Sequence, residues 1–348
     1  ILCTYNRTHA NWKSGNTSFN LEAFPYQFCT SVVYCCVNMD INFDIDPQVY
    51  EPDVKSLKRA KKMHPGLKTF VVLGDSYAQN AIFEASTANL LHQEMFVHAV
   101  VTWLLKRSFD GIYIYWTYAN LRDLERLVRT TGYVGHFLSK SNLQFGLILP
   151  SDEEFLRGID VPGFARRLKD VPAGILLAPS EQIRGEHTKT DLNRADDLLK
   201  WLTRLQDAFT KVSSTICPMV PFAALSFKLQ AFIEDGNVVL KPVDKGEPGA
   251  MSGEAGRLTY FEVCQQPVNG NHFKFPTRDS VMVGDEYITY LTPRALQNLL
   301  GSAGVRRPFE CLGAWEPEWD DFGGVCKSGK HPLLQTMYRF LSSRSPKL

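Results

Sequence analysis

Residues 108–118 read SFDGIYIYWTY, and this stretch indicates how strands and helices follow one another in the chain. Its two isoleucines alternate with Tyr113 and Tyr115, a period of two that predicts a β-strand. An Asp-Gly turn opens the strand, and an amphipathic stretch over residues 94–107 precedes the turn. The segment therefore predicts a helix, a short loop and a strand, the repeating unit of parallel β/α folds.

The same unit recurs along the chain, and it predicts the fold class. Helical patterns cover 54–63, 94–107, 121–130, 163–169, 194–209 and 293–302. Eight strand-like runs alternate with them, at 1–5, 31–39, 69–73, 111–116, 144–149, 174–178, 215–221 and 310–315. Because eight parallel strands close a barrel, we predict an α/β fold of the TIM (β/α)8 type. Functional side chains of such barrels lie at the C-terminal strand ends, where we expect Tyr113, Tyr115 and Thr117.

One interval departs from this spacing. Residues 227–292 are rich in Gly, Pro and Tyr and contain additional short strands. We interpret them as an inserted α+β lobe between strands seven and eight. The predicted domains are therefore a barrel formed by 1–226 and 293–348, and a lobe formed by 227–292.

Composition excludes several functional classes. A formal net charge of +1 in 348 residues favours neither nucleic acid nor an anionic membrane as partner, and we expect no nucleic acid to bind. No apolar run approaches the roughly 18 residues of a membrane span. The cysteines form no CxxC pair and the histidines no HxH or HxxxH pair, so we expect no metal site and no cofactor.

Cysteines and glycosylation sequons indicate a secreted, extracellular protein. Four of the eight cysteines lie in loops or at strand edges, where disulfides are common. Two sequons for N-glycosylation occur near the start of the chain, at Asn6 and Asn16.

Several segments together resemble family 18 of the glycoside hydrolases, the chitinase group. The family's fourth strand reads D-G-x-D-x-D-W-E; Asp110, Gly111 and Trp116 match it, whereas Tyr113, Tyr115 and Thr117 replace its later acidic residues. Three further stretches are similar to family segments in the same order along the chain: HPGLKTFVVLGD (64–75), EAGRLTYFEVC (254–264) and GAWEPEWDDFGGVC (313–326).

The resemblance implies a mechanism and a consequence for activity. In the family a glutamic acid protonates the glycosidic oxygen, and the acetamide oxygen of the substrate attacks the anomeric carbon. Thr117 stands where that acid is, and a threonine hydroxyl is too weak an acid to replace it. Tyr115 stands at the acetamide-orienting carboxylate, and a phenol is neutral at pH 7. We therefore predict a chitinase-like protein that is not an enzyme.

Three functions remain open under this resemblance. The first is a non-enzymatic binding protein for an extracellular protein or glycan. The second is a lectin that uses Trp315, which matches the tryptophan on which the family stacks its sugar, together with Trp116. The third is a residual or altered glycosidase. By analogy with the family, we expect structural and not catalytic roles for the acidic residues after the last strand: Glu316, Glu318, Asp320 and Asp321.

A basic stretch offers a further binding surface. The predicted helix at 54–63 carries Lys55, Lys58, Arg59, Lys61 and Lys62. A solvated helix face is the simpler interpretation, and the alternative is a site for a sulfated glycan, whose anionic groups clustered cations attract.

The resemblance also implies disulfide pairs. Cys3–Cys29 and Cys264–Cys326 match the two bridge positions of the family. Cys217 and Cys311 lie on neighbouring predicted strands and form a third bridge only if their side chains face each other. We expect Cys35 and Cys36 to stay reduced, because adjacent strand residues point to opposite faces.

Overall fold

The computed structural model describes residues 1–46, 50–74, 79–116, 132–150, 174–179, 216–235, 237–265, 270–303 and 311–343. Within them, eight parallel strands form a closed barrel in the order β1-β16-β9-β8-β7-β6-β5-β4. Their bounds are β1 Leu2–Asn6, β4 Ser31–Val37, β5 Lys68–Gly74, β6 Gly111–Tyr115, β7 Gln144–Pro150, β8 Ile175–Ala178, β9 Ile216–Pro221 and β16 Gly313–Trp315. The predicted TIM barrel is confirmed.

The barrel closes through its first strand. β1 pairs with β4 on one side and with β16 on the other, so that Cys3 lies opposite both Val32 and Ala314. Closure therefore joins residues that are more than 300 positions apart. It places the end of β1 beside the end of β16, which becomes important for the site.

Alternate residues of the strands fill the barrel with an apolar core, here called the interior cluster. Glycines make room for two of these side chains. A Cβ atom on Gly146 would lie 2.2 Å from Cε1 of Tyr113, and one on Gly313 would lie 1.8 Å from Sδ of Met219. The cluster comprises Leu2, Val33, Phe70, Val72, Tyr113, Tyr115, Ile148, Leu176, Ala178, Cys217, Met219 and Trp315.

Helices lie between the barrel strands and after the last one. The predicted helices at 54–63, 94–107 and 293–302 are present with slightly longer bounds, whereas those at 121–130, 163–169 and 194–209 lie outside the described residues. The sequence patterns did not predict the helices at 79–86, 132–140, 260–264 and 332–342. The described helices are α1 Glu51–Met63, α2 Gln79–Ser86, α3 Leu90–Arg107, α4 (132–140), α5 Tyr260–Cys264, α6 Pro293–Ala303 and α7 Pro332–Ser342.

An antiparallel sheet interrupts the barrel between β9 and β16, as predicted. Its strand order is β11-β10-β15-β14-β13, with β12 paired to β10. The predicted domain boundaries at 227 and 292 stay a proposal. The first strand of this sheet begins at Ala224, before the predicted boundary. The strands are β10 Ala224–Glu234, β11 Asn237–Lys245, β12 Arg257–Leu258, β13 Asn271–Lys274, β14 Asp279–Val283 and β15 Glu286–Tyr290; a separate short hairpin contains β2 Lys13–Ser14 and β3 Thr17–Ser18.

All eight cysteines form disulfides. The two pairs implied by the family resemblance, Cys3–Cys29 and Cys264–Cys326, are present, and Cys217–Cys311 is the third. The expectation that Cys35 and Cys36 stay reduced is wrong, because they are bonded to each other. That expectation assumed a regular strand, but the register of β4 against β5 shifts between Tyr34 and Val37, so the alternation of side chains is interrupted there.

Candidate functional site

The C-terminal ends of the barrel strands form an apolar mouth around Trp315, the last residue of β16. Its indole ring meets the ring of Tyr115 edge to face, with centroids 6.2 Å apart. Both side chains are nearly buried, at 7% and 8% exposure. The half-buried Cys35 and Cys36, at the end of β4, pack against the same cluster. Among the described residues, the mouth therefore contains two aromatic rings and a disulfide.

Tyr113 lies deeper in the barrel than Tyr115. It is 1% exposed and meets Phe70 edge to face at 5.2 Å. Burial raises the pKa of the Tyr113 phenol, so that the group is neutral at physiological pH. Tyr113 therefore supplies volume to the core of the barrel.

Two other predicted site residues of this segment, Asp110 and Trp116, lie away from the mouth. Asp110 precedes β6 at the opposite end of the barrel, where it accepts hydrogen bonds from the backbone N–H and the hydroxyl of Thr69 and pairs with Lys61 at 2.7 Å. Trp116 is 3% exposed and packs on Phe83 in the outer core, with centroids 5.4 Å apart. Thr117 lies outside the described residues.

Next to the mouth, charged residues meet where the inserted sheet joins the barrel; we call His9, Glu254, Arg257, Glu316 and Glu318 the junction cluster. Nδ1 of His9 is 2.9 Å from Oε1 of Glu318, and Nε2 of His9 is 3.1 Å from Oε1 of Glu254. Arg257 donates to both Glu254 and Glu316. The sequence draws attention to Glu316 and Glu318 but not to their partners, because no local spacing connects them.

Local structure directs these side chains towards one another. Glu316 has a left-handed backbone with φ of 55°, unfavourable for a residue with a Cβ, and its N–H donates to Oγ1 of Thr4 at 2.6 Å. Oε1 of Glu316 accepts from Nδ2 of Asn6 at 3.0 Å. Trp319 lies beneath the guanidinium of Arg257 at 4.1 Å. The turn after β16 therefore holds both of its glutamates against β1.

Pairing determines the charges in this cluster. Burial alone would lower the pKa of His9, but hydrogen bonds with Glu254 and Glu318 outweigh it and raise the pKa to about 9. Burial raises the pKa of Glu318 above its ordinary value, although His9 opposes the rise. A doubly protonated His9 can donate to Glu318 through Nδ1 and to Glu254 through Nε2, so the proton of the His9–Glu318 pair resides on the imidazole. At neutral pH two cations therefore face three carboxylates.

The remaining acidic residues after β16 have structural roles, as favoured above. Asp320 Oδ2 accepts the backbone N–H groups of Leu333 and Leu334 at the start of α7, both at 3.0 Å. Asp321 Oδ2 accepts the N–H of Cys326 at 2.7 Å. Carboxylates at a helix N-terminus and in a tight loop satisfy otherwise unpaired donors.

The two sequons have different surroundings. Asn6 bonds Glu316 through its side-chain nitrogen and caps the following turn by accepting the N–H of Thr8 at 3.0 Å. Asn16 is exposed in the turn between β2 and β3. The geometry favours Asn16 as the acceptor for a glycan.

The basic surface on α1 is smaller than predicted. Lys61 is paired with Asp110, and of the other four basic residues of the predicted set Arg59 lies 3.7 Å from Glu22. These four are exposed, and their spacing places them on one side of the helix: Lys55, Lys58, Arg59 and Lys62. Among the helices that the structure describes, none is both long and apolar enough to cross a bilayer.

Comparisons with known proteins agree with the family resemblance seen in the sequence. The profile of Glycosyl hydrolases family 18 matches residues 3–300. The endochitinase of Manduca sexta is 23% identical over 391 residues, which cover 99% of this chain and 67% of that protein. Chitotriosidase-1 of Mus musculus is 23% identical over 372 residues, covering 95% of this chain and 76% of that protein.

A solved structure has the same fold. Human YKL-39, described as a pseudo-chitinase with retained chitooligosaccharide binding properties, aligns with a TM-score of 0.81 at 15% identity, covering 98% of this chain and 99% of that chain.

These comparisons correct one prediction and establish the family. The prediction that the chain is not an enzyme is wrong, because relatives that match it over nearly its whole length are named as chitinases. Replacements at Tyr113, Tyr115 and Thr117 do not by themselves establish a loss of activity. The family itself rests on the profile match and on the closed barrel. The chain belongs to family 18 of the glycosyl hydrolases.

Proposed function

We propose that the protein is a secreted, glycan-binding member of family 18 that contacts a chitooligosaccharide-type glycan at the mouth of the barrel. The observation that carries this proposal is the position of Trp315, which ends β16 beside Tyr115 and the Cys35–Cys36 disulfide. The C–H face of a pyranose ring packs on flat apolar surfaces of this kind.

The same geometry predicts weak binding. Trp315 is only 7% exposed, so its ring must turn partly away from Tyr115 before a sugar can stack on it. An aromatic contact contributes about 1 kcal/mol, whereas ordering a flexible oligosaccharide costs a comparable amount for each immobilised group. We therefore expect a Kd of about 1 mM, equivalent to about −4 kcal/mol.

The choice of ligand is supported by a protein of the same fold. Human YKL-39 is described as retaining chitooligosaccharide binding. Its TM-score of 0.81 shows that the two chains share the barrel on which such a mouth is built. An N-acetylglucosamine oligomer is therefore the first ligand to test.

Titration of N-acetylchitopentaose into isotopically labelled protein, followed by NMR shifts, tests the proposal. We expect shifts that saturate in the millimolar range and disappear in Trp315→Ala. Trp116→Phe is the matched control, because Trp116 packs in the outer core, and it should bind as the unsubstituted protein does. Mass spectrometry of the same mixtures reports cleavage. Equal binding by the Trp315→Ala variant would refute the mouth as the site.

Secretion has independent support in the structure. The four disulfides require an oxidising compartment, and Asn16 presents its sequon in an exposed turn. Expression with a secretion leader in eukaryotic cells should yield soluble protein with one N-glycan, measured as a mass shift that an N-glycosidase removes.

A second glycan-binding surface is favoured by the spacing of the basic residues on α1. Lys55, Lys58 and Lys62 are exposed on one side of the helix, where they can contact the sulfate groups of one glycan. Their replacement by Ala should lower the salt concentration that elutes the protein from immobilised heparin, because salt screens such contacts. A control with equal loss of charge in the inserted sheet, at Lys228, Lys241 and Lys245, should elute near the original position.

A further inference from the structure

Three potential metal ligands meet in the junction cluster, although they come from opposite ends of the chain. Nδ1 of His9 lies 2.9 Å from Oε1 of Glu318 and 3.9 Å from Oε1 of Glu316. One donor atom from each of the three residues lies within 4.8 Å of the other two. Ligands at about 2.1 Å from a tetrahedral zinc ion are about 3.4 Å apart. The two His9 distances lie on either side of that value.

Glu318 supplies an independent indication of a ligand. Its side chain is 0% exposed, and within the part of the chain that the structure describes its Oε2 atom has no hydrogen-bond partner. A buried carboxylate oxygen without a donor is unfavourable, since it has lost water and gained nothing in exchange. A cation bound beside Oε1 can reach this second oxygen of the same carboxylate.

The neighbouring groups are arranged as they are around metal-binding histidines. Nε2 of His9 lies 3.1 Å from Oε1 of Glu254. When a metal ion displaces the proton on Nδ1, the imidazole still donates to Glu254 and directs its Nδ1 lone pair towards the two other glutamates. A carboxylate in this position commonly orients a histidine that ligates a metal. Arg257 binds Oε2 of Glu316 and leaves Oε1 on the side of His9.

Charge balance favours a divalent ion. A metal ion at Nδ1 of His9 displaces the proton there and leaves the imidazole neutral. Among the described residues, Arg257 is then the cation that pairs with these carboxylates, so Glu254, Glu316 and Glu318 retain two negative charges. We propose that His9, Glu316 and Glu318 bind a divalent transition-metal cation such as Zn²⁺, between the first and last strands of the barrel. Imidazole and carboxylate donors both suit zinc. The ion joins the segment after β1 to the turn after β16, while Glu254 and Arg257 of the inserted sheet support its ligands.

Calorimetric titration of chelator-treated full-length protein with ZnCl₂ tests the proposal. We expect one Zn²⁺ per chain with a micromolar Kd, together with a rise in Tm that EDTA reverses, because a ligand that binds only the folded state stabilises it. Glu318→Gln, which keeps the shape of the side chain, should weaken binding at least tenfold. His98→Gln, at an exposed histidine of α3, is the matched control and should leave the affinity unchanged.

Cobalt provides a measurement that does not depend on how a variant folds. Co²⁺ added to the unsubstituted protein should give the visible absorption of a four- or five-coordinate ion, and one equivalent of Zn²⁺ should remove it. Binding that Glu318→Gln leaves intact, binding lost equally in His98→Gln, or a Co²⁺ spectrum of the hydrated ion would each overturn the proposal. Glycan binding at Trp315 is measured separately, so its failure does not affect this result.

Discussion

The interior cluster and the junction cluster lie at neighbouring positions in the barrel, but different forces position their side chains. Inside the barrel, shape decides: Tyr113 occupies the space that Gly146 leaves. At the junction, charge decides, since His9 and Arg257 each contact two carboxylates. The loss of stability from a change in side-chain volume depends on the size of the change, whereas a buried charge without its partner lowers the free energy of unfolding strongly. Variants compared in metal-free buffer separate these two kinds of stabilisation.

The largest effect is expected for Arg257→Met, which leaves Glu254 and Glu316 without their main countercharge. The arginine side chain is 18% exposed, so little water can replace it. Removal of one partner from a buried ion pair should lower the free energy of unfolding by about 4 kcal/mol, measured by urea denaturation.

Arg294→Met is the control for this experiment. Arg294 pairs with Asp279, but its side chain is 49% exposed, and we expect a loss of about 1 kcal/mol. Equal losses in the two variants would show that pairing does not position the junction cluster.

The next largest effect is expected inside the barrel, for Gly146→Ala. The new Cβ would lie 2.2 Å from Cε1 of Tyr113, and the overpacking should cost about 3 kcal/mol. Adding Tyr113→Leu should recover part of the loss by freeing volume. Gly132→Ala, where a Cβ meets nothing within 4 Å, should change stability little. A double variant no more stable than Gly146→Ala would contradict the fit of shapes.

The pH dependence of stability should report the junction cluster. Because folding raises the pKa of His9 from 6.5 to about 9, its contribution is fully present below pH 6.5 and is lost as the pH rises through 9. The coupling to Glu318 reduces the full effect, and we expect a loss of about 2 kcal/mol across this window. Chemical denaturation at each pH measures it. His9→Gln should flatten the profile, and an unchanged slope would show that His9 is not the titrating group.

The smallest effect is expected at the two sequons. Asn6 lies at the junction cluster, whereas Asn16 lies on the open surface. Asn6→Ala removes the hydrogen bond to Glu316 and should cost about 1 kcal/mol, whereas Asn16→Ala should leave stability unchanged. In secreted material, loss of the glycan should follow Asn16→Ala alone. If the glycan is retained in Asn16→Ala and lost in Asn6→Ala, the end of β1 is more open than its contacts indicate.

Sequence analysis predicted the barrel because its signals are local. The alternation in GIYIY and the helical pattern before it each depend on a few consecutive residues, and eight repetitions of that unit indicated closure. The resemblance to family 18 implied the same fold and two of the disulfides. It also led to the wrong prediction about activity, because the residues found in a motif do not by themselves establish whether a protein is catalytically active.

By itself, then, the sequence determined the order of strands and helices, the inserted sheet and the position of Trp315 at a strand end. Only the tertiary structure decided which side chains meet. Barrel closure pairs β1 with β16, and so brings His9 to Glu318 across 309 positions of chain. The irregularity in β4 joins Cys35 to Cys36. Such contacts depend on strand register and on burial away from water, and no local pattern of residues encodes either of them.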